Sequence, residues 1–316
     1  MHKKLDFLII GAQKAGTTSV YDWIGQHPDI YAPQHLKDFP FFRGDKLYSK
    51  GENFLNKQIG NVDNSKVVGA GSVQYLFFEN IPKRIYDYNK NIKLIAILRN
   101  PIDRAISAYR YAVERGLENR TFSEAINYEI KYGLNAYKDY REANQKFYLK
   151  RGLYYQQLNN YYKYFSKDQI LVLFFEELIK NKEQLLSKIF QFLEVPYYNN
   201  INYNKKNITQ GATNTIIYKL IYSDKIKNIL LINFIKQFLS LKLKNQLAEY
   251  LVHFNRSSNR KSDIKEKNIN IETKDLKKLY DFFLRDINKL RKYSFDDLPY
   301  WIDDYKNYLI NNKNDN

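Results

Sequence analysis

LDFLIIGAQKAGTTSVYDWIGQHP, residues 5–28, decides the fold. Its first part, LDFLIIGA over 5–12, is a short β-branched and aromatic run that closes on a glycine, the pattern of a buried strand. The remainder takes helical spacing after the glycine, and Pro28, which disfavours helical geometry in the residue before it, predicts that this helix stops near His27. Strand, tight loop and helix in that order aim backbone amides and the positive end of a helix dipole at one point, where a phosphate group binds. The loop is not a Walker A sequence. That motif needs lysine directly after the second glycine, whereas here Thr17 follows Gly16 and Lys14 comes three residues earlier.

Working outward, three further apolar runs read as buried parallel strands: KVVGAGS at 66–72, KLIAILRN at 93–100 and QILVLFFEE at 169–177. Helical patterns lie between and after them, around 81–89, from 101, from 122, from 152 and from 182. Pro101 suits the first position of its helix. Strands alternating with helices predict an α/β fold of P-loop-like, three-layer type around a parallel sheet wound by right-handed crossovers. We expect one domain over 1–316, with a sheet core at about 5–195, a helical part at about 210–302 and a frayed tail at 303–316.

The 316 residues carry 51 Lys and Arg against 34 Asp and Glu, a net charge of +17 that favours an anionic partner. With 44% hydrophobic and 16% aromatic residues the chain has material for a large core, which excludes a disordered chain. There is no cysteine, so disulfides, thiolate metal sites and a cysteine nucleophile are excluded. FLII is too short for a signal sequence or a membrane span, and a cytoplasmic location is the expectation. Residues 224–254 mix apolar positions with lysines at 225, 227, 236, 242 and 244; this reads as helices packed on the body, with contact at the inner face of a membrane as the other reading. No nucleic-acid-binding motif accompanies the basic charge, and nucleic acid is not expected as a partner.

The strand at 93–100 ends in Arg99 where a nucleotide hydrolase would place a magnesium-binding aspartate, and Ser107 follows in the next helix. A guanidinium and a hydroxyl near strand C-termini can clamp a second phosphate. Two anion sites with no carboxylate for a metal fit a nucleotide phosphorylated at both ends of its ribose.

FLIIGAQKAGTTSVYDWIGQHPDI together with ILRNPIDRAISAY resembles the two nucleotide-binding motifs of the sulfotransferases that use 3′-phosphoadenosine-5′-phosphosulfate. KDFPFF at 37–42, RGLYYQQLNNYYKYF and QILVLFFEEL resemble the heparan-type and bacterial carbohydrate branch of that family. The resemblance spans roughly 5–195 and, more weakly, the final helix and LPYW. It implies that Lys14 stabilises charge on the leaving phosphate, that Ala15, Gly16, Thr17 and Thr18 hold the 5′-phosphosulfate, and that Arg99 and Ser107 grip the 3′-phosphate. It further implies a carbohydrate or glycolipid acceptor, sulfated at a hydroxyl or an amine, and no metal.

The family's general base aligns with Asp38, which is aspartate where that branch has glutamate; His35 is the rival base. Lys37 reads as a solvated lysine, or as a partner of Asp38 or of the sulfonate. Ser72 and Tyr75 resemble a segment lining the substrate cleft, while Tyr154 and His27 read as structural. Two loops, 205–212 and 255–262, are candidates to close over the nucleotide. A P-loop kinase and a non-catalytic polyanion-binding protein are the alternative functions.

Overall fold

The structure, a computed structural model, describes residues 3–64, 66–136, 145–203, 271–293, 295, 299 and 301. The two candidate nucleotide loops, 205–212 and 255–262, lie outside the described residues, as does the segment 224–254. The chain forms two compact units: Met1–Ala105 with Tyr148–Asn207 and Thr273–Asn316, and Ile106–Phe147 with Ile208–Glu272.

The first unit is built on a five-stranded, all-parallel sheet in the order β2-β3-β1-β4-β5. The strands are β1 (Phe7–Gly11), β2 (Ile30–Tyr31), β3 (Val67–Gly71), β4 (Lys93–Leu98) and β5 (Ile170–Phe174). Every residue of β1 is buried, as are five of six in β4, which is why these strands read as continuous apolar runs rather than alternating ones. Phe7 sits opposite Gly69 of β3, and its ring lies where a Cβ on Gly69 would be, at 2.0 Å. Any side chain at Gly69 would therefore push β1 off its neighbour. The register shifts between Ile9 and Gly11, a bulge at the point where β1 leaves the sheet for the phosphate loop.

Helices α1 (Thr17–Ile24), α2 (Asp45–Tyr48), α3 (Glu52–Ile59), α4 (Ile81–Tyr88) and the start of α5 (Pro101–Glu114) connect the first four strands and leave the fourth. Helix α1 ends at Ile24, three residues before the predicted stop, because Gly25 takes the capping position and its N–H donates back to the Tyr21 carbonyl at 3.0 Å. Asn100 opens α5: its Oδ1 accepts the Ile102 N–H at 3.0 Å, and Pro101 takes the first helical position, which needs no N–H. The later part of the unit carries α7 (Tyr154–Tyr161), α8 (Phe175–Lys180), α9 (Lys182–Leu193) and α10 (Thr273–Leu290). The run expected as strand to 177 is strand only to Phe174; Phe175, Glu176 and Glu177 begin α8. Two glutamates in a first turn are favoured by the helix dipole.

In the second unit, α6 (Phe122–Tyr132) starts at a reciprocal cap: Thr121 accepts the Glu124 N–H while Glu124 accepts the Thr121 N–H at 2.7 Å. Just before it, Glu118 takes both Nε and Nη2 of Arg120 at 2.8 Å, a two-pronged pair on a nearly buried carboxylate.

Candidate active site

The carboxyl ends of β3, β1 and β4 lie side by side, and each delivers one of the residues singled out in the sequence. Open parallel sheets bind ligands at this edge. From β1 the chain enters the loop Ala12–Gly16. Ala12 N–H bonds to the Ile97 carbonyl of β4 at 2.7 Å, and Ala15 N–H to the Ala12 carbonyl at 3.3 Å, so the loop turns tightly on the sheet edge. Two of its residues are left-handed, Lys14 at φ 69° and Gly16 at φ 78°. A Cβ on Gly16 would meet the Phe175 ring at 3.3 Å, so glycine is needed both for the backbone angle and for that approach. Helix α1 follows with no side-chain cap and no acidic residue in its first turn. Its leading N–H groups and dipole are thus offered to an anion without a competing carboxylate.

Arg99, at the end of β4, is fixed by three contacts. Its Nη1 donates to the Lys14 carbonyl at 3.1 Å, its guanidinium lies 4.5 Å from the centre of the Phe175 ring, and its own carbonyl accepts the Tyr154 hydroxyl at 2.8 Å. Tyr154 is fully buried, as expected for a structural residue, and burial pushes its phenol pKa far up, so it acts only as a neutral donor. The arginine and the lysine loop are therefore one assembly. Ser107 is half-buried on α5 and belongs to the second unit.

Asp38 is held beside β3. Lys37 bridges to Gly71, the last residue of β3, and the Asp38 N–H donates to the Gly71 carbonyl at 2.6 Å. Asp38 is left-handed at φ 61°, a conformation that aspartate tolerates better than most residues, and its side chain is 56% exposed. The loop beneath it is anchored by Phe41 and Phe42, both buried, with Phe42 edge-on to Tyr75 at 5.6 Å. Tyr75 donates its hydroxyl to the Phe39 carbonyl, and Tyr161 donates to the Tyr75 carbonyl at 2.8 Å. Ser72 is buried and its hydroxyl accepts the Gln74 N–H at 3.3 Å. Tyr75 thus supports the Asp38 loop from behind, while Ser72 fixes the turn that follows β3.

The solvated reading of Lys37 is corrected. Its side chain is only 6% exposed and its Nζ lies 2.9 Å from Oδ1 of Asp38. His35, the rival base, is exposed with its Nε2 2.8 Å from the Gln58 carbonyl at the end of α3. His27 is structural: its Nδ1 accepts the Asp29 N–H at 3.0 Å, which leaves the proton on Nε2 to donate to the Pro196 carbonyl at 2.8 Å.

Sequence reading missed two supporting residues. Arg104 is wholly buried; its Nη1 reaches Gln13 of the loop at 3.5 Å and its Nη2 donates to the Tyr148 carbonyl. Glu176 ties the ends of β4 and β5 together, since its Oε1 accepts the Asn100 N–H at 3.1 Å and the Trp301 Nε1–H at 2.9 Å. Burial raises the Glu176 carboxyl pKa above the ordinary range. Among the described residues no group of three or more His, Cys, Asp or Glu is placed to hold a metal, and no helix is long and apolar enough to cross a membrane.

The sulfotransferase domain family matches residues 4–291. The chain is 28% identical over 191 residues to heparan sulfate glucosamine 3-O-sulfotransferase 5 of Mus musculus, covering 60% of this chain and 53% of that one. It is 31% identical over 201 residues to bifunctional heparan sulfate N-deacetylase/N-sulfotransferase 4 of Mus musculus, covering 61% of this chain and 23% of that one. It thus spans about half the length, or less, of these curated relatives. A sulfotransferase structure from Alicyclobacillus acidocaldarius superposes with a TM-score of 0.66 at 24% identity, covering 95% of this chain and 99% of that one, which shows a shared fold. The family match runs through the lysine loop, the Asp38 segment and the Arg99 strand end alike, and the chain belongs to the sulfotransferase family.

Proposed function

We propose that the chain transfers a sulfonate group from 3′-phosphoadenosine-5′-phosphosulfate to a hydroxyl, or an amine, of a carbohydrate or glycolipid acceptor. The carrying observation is the joint assembly of the lysine loop and Arg99, in which the guanidinium is hydrogen-bonded to the Lys14 carbonyl at an uncapped helix start. The loop fits such a donor: glycine at the left-handed turn, no side-chain cap on the helix start, and no carboxylate in the first turn.

In this reading the first-turn amides of α1, with the hydroxyls of Thr17 and Thr18, hold the 5′-phosphosulfate. Lys14 offsets the negative charge that gathers on the bridging oxygen as its bond to sulfur breaks. Arg99 takes the 3′-phosphate, and Ser107 is assigned to it by the motif. The donor supplies an activated sulfonate; the chain supplies in-line positioning and charge stabilisation, as in phosphoryl transfer. Asp38 accepts the acceptor's proton as the oxygen or nitrogen bonds to sulfur. Its exposure suits a bulky acceptor, and Lys37 fixes its orientation through the 2.9 Å ion pair. The heparan sulfate enzymes among the relatives support a carbohydrate acceptor. We place the reaction in the cytoplasm, and the protein as one functional domain.

Equilibrium binding tests the reading. Adenosine 3′,5′-bisphosphate is expected to bind without magnesium and to raise the melting temperature by linkage. Stabilisation by ATP with magnesium, with no response to the bisphosphate at millimolar concentration, would overturn it.

A further inference from the structure

A concave site lies in the first unit between the start of α7 and the C-terminal half of α10. It encloses about 380 Å³ and is lined by Lys150, Tyr155, Phe282, Arg285, Asp286 and Lys289. Phe282, Arg285, Asp286 and Lys289 recur at the i, i+3, i+4, i+7 spacing, so they form one stripe along α10. Arg285 and Lys289 stand one helical turn apart, about 6 Å along the axis.

The charges in this groove are unequal. Three cations line the groove with a single carboxylate: Asp286 attracts Lys289 and accepts the Tyr155 N–H at 2.9 Å and the Gln156 N–H at 3.4 Å, fixing the first turn of α7. The aromatic walls are flat and partly exposed. Lys289 lies 5.5 Å from the centre of the Tyr155 ring and Lys150 lies 5.7 Å from that of Phe282, so each ring has a cation beside it. Tyr155 is itself stacked on Tyr293 at 5.4 Å, which makes it a rigid wall. Oxyanions are recognised by paired guanidinium and ammonium donors, and the C–H face of a sugar ring by a flat aromatic surface.

We propose that this groove is a subsite for an anionic saccharide, with the ring against Tyr155 and Phe282 and a sulfate or carboxylate group between Lys150, Arg285 and Lys289. The proposal rests on the sulfotransferase reading only in giving the subsite a purpose, the anchoring of a chain whose other end reaches the catalytic loop. Saccharide binding itself needs no turnover.

Calorimetry on the full chain at fixed ionic strength tests it with four probes: a heparin-derived tetrasaccharide, unsulfated maltotetraose, sodium sulfate and a short oligodeoxythymidylate. The tetrasaccharide is expected to bind, and the double change Arg285→Gln with Lys289→Gln to weaken it about tenfold or more. Because the chain is strongly basic, Lys57→Gln with Lys180→Gln serves as a control of equal charge, and should change affinity by less than about twofold. Both positions are exposed and outside the groove. Equal weakening by the control, no weakening by the groove variant, or no binding of the tetrasaccharide would overturn the proposal. So would equal potency of sulfate alone, which marks a bare oxyanion site, or tighter binding of the oligonucleotide. Bisphosphate binding, measured by thermal shift in the same variants, should be unchanged; its absence in the unaltered chain would refute the donor reaction and leave the groove result standing.

Discussion

Tyr154→Phe removes one oxygen and almost no volume, and it isolates how Arg99 is held. The hydroxyl donates to the Arg99 carbonyl at 2.8 Å inside the core. Deleting it leaves a partly buried carbonyl short of a donor, a cost of about 1–3 kcal/mol in stability. Tyr161→Phe is the matched control: that residue is equally buried and donates to the Tyr75 carbonyl at 2.8 Å, so its stability cost should be similar. The two differ in what they support. Loss of the Tyr154 anchor leaves Arg99 on the Lys14 carbonyl and the Phe175 ring alone, and a looser guanidinium should weaken bisphosphate binding by roughly three- to tenfold, about 0.7–1.4 kcal/mol. Tyr161→Phe should leave that affinity unchanged. Urea unfolding and calorimetry with adenosine 3′,5′-bisphosphate measure both quantities. Equal affinity loss in the two variants, or a stability loss in Tyr154→Phe with affinity intact, would refute the idea that Tyr154 positions the clamp.

The other expectations concern chemistry, backbone and pH. Lys14→Ala should lower turnover by about 10² or more while the fold is kept, read by single-turnover transfer at saturating donor; a small effect would remove its charge-stabilising role. Asp38→Asn should lose most transfer, on the order of 10²-fold or more, with donor binding kept, and Asp38→Glu should retain part of it; a larger loss in His35→Ala would move the base to His35. Gly16→Ala forces a left-handed alanine against the Phe175 ring, and should cost about 1–2 kcal/mol with weaker donor binding, measured by urea unfolding and calorimetry. Asp286 is pushed up to about 6 by burial, so the folded state binds its proton more tightly than the unfolded chain does. Its contribution therefore favours the fold below the ordinary aspartate range and declines as pH rises towards 6, by up to about 3 kcal/mol. Asp286→Asn should flatten the urea midpoint across that window, and an unchanged slope would reject the assignment.

The sheet and the loop were legible because their physics is local. A fully buried parallel strand is apolar without interruption, and a left-handed turn before a helix needs glycine, so residues 5–24 announce themselves. The short elements were not legible. Strand β2 has two residues and α2 has four, too few to show any period. Lys37 looked solvated because lysines usually are; only the tertiary path of the chain, which lays it along Gly71, buries its side chain beside Asp38. Arg104 and Glu176 escaped for the same reason, each a charged residue in a helix's first turn whose burial is decided by segments some 44 to 125 residues away. The roles assigned to Lys14, Asp38 and Arg99 came from motif likeness, and the geometry adds what likeness lacks: Lys14 and Arg99 follow the neighbouring strands β1 and β4, and Asp38 is pinned to Gly71 at the end of β3, on the other side of β1.

The anchoring of Arg99 has a consequence for synthesis. Its strand, the lysine loop and the Asp38 segment all belong to the first hundred residues, but Tyr154 and Phe175, which fix its carbonyl and guanidinium, leave the ribosome much later. A nascent chain stalled near residue 150 carries β1 to β4 and both halves of the phosphate-binding sequence, yet lacks β5 and the two aromatic supports. The protein therefore acquires its nucleotide grip after its lysine loop has been made, when the fifth strand pairs with the fourth across a separation of 76 residues.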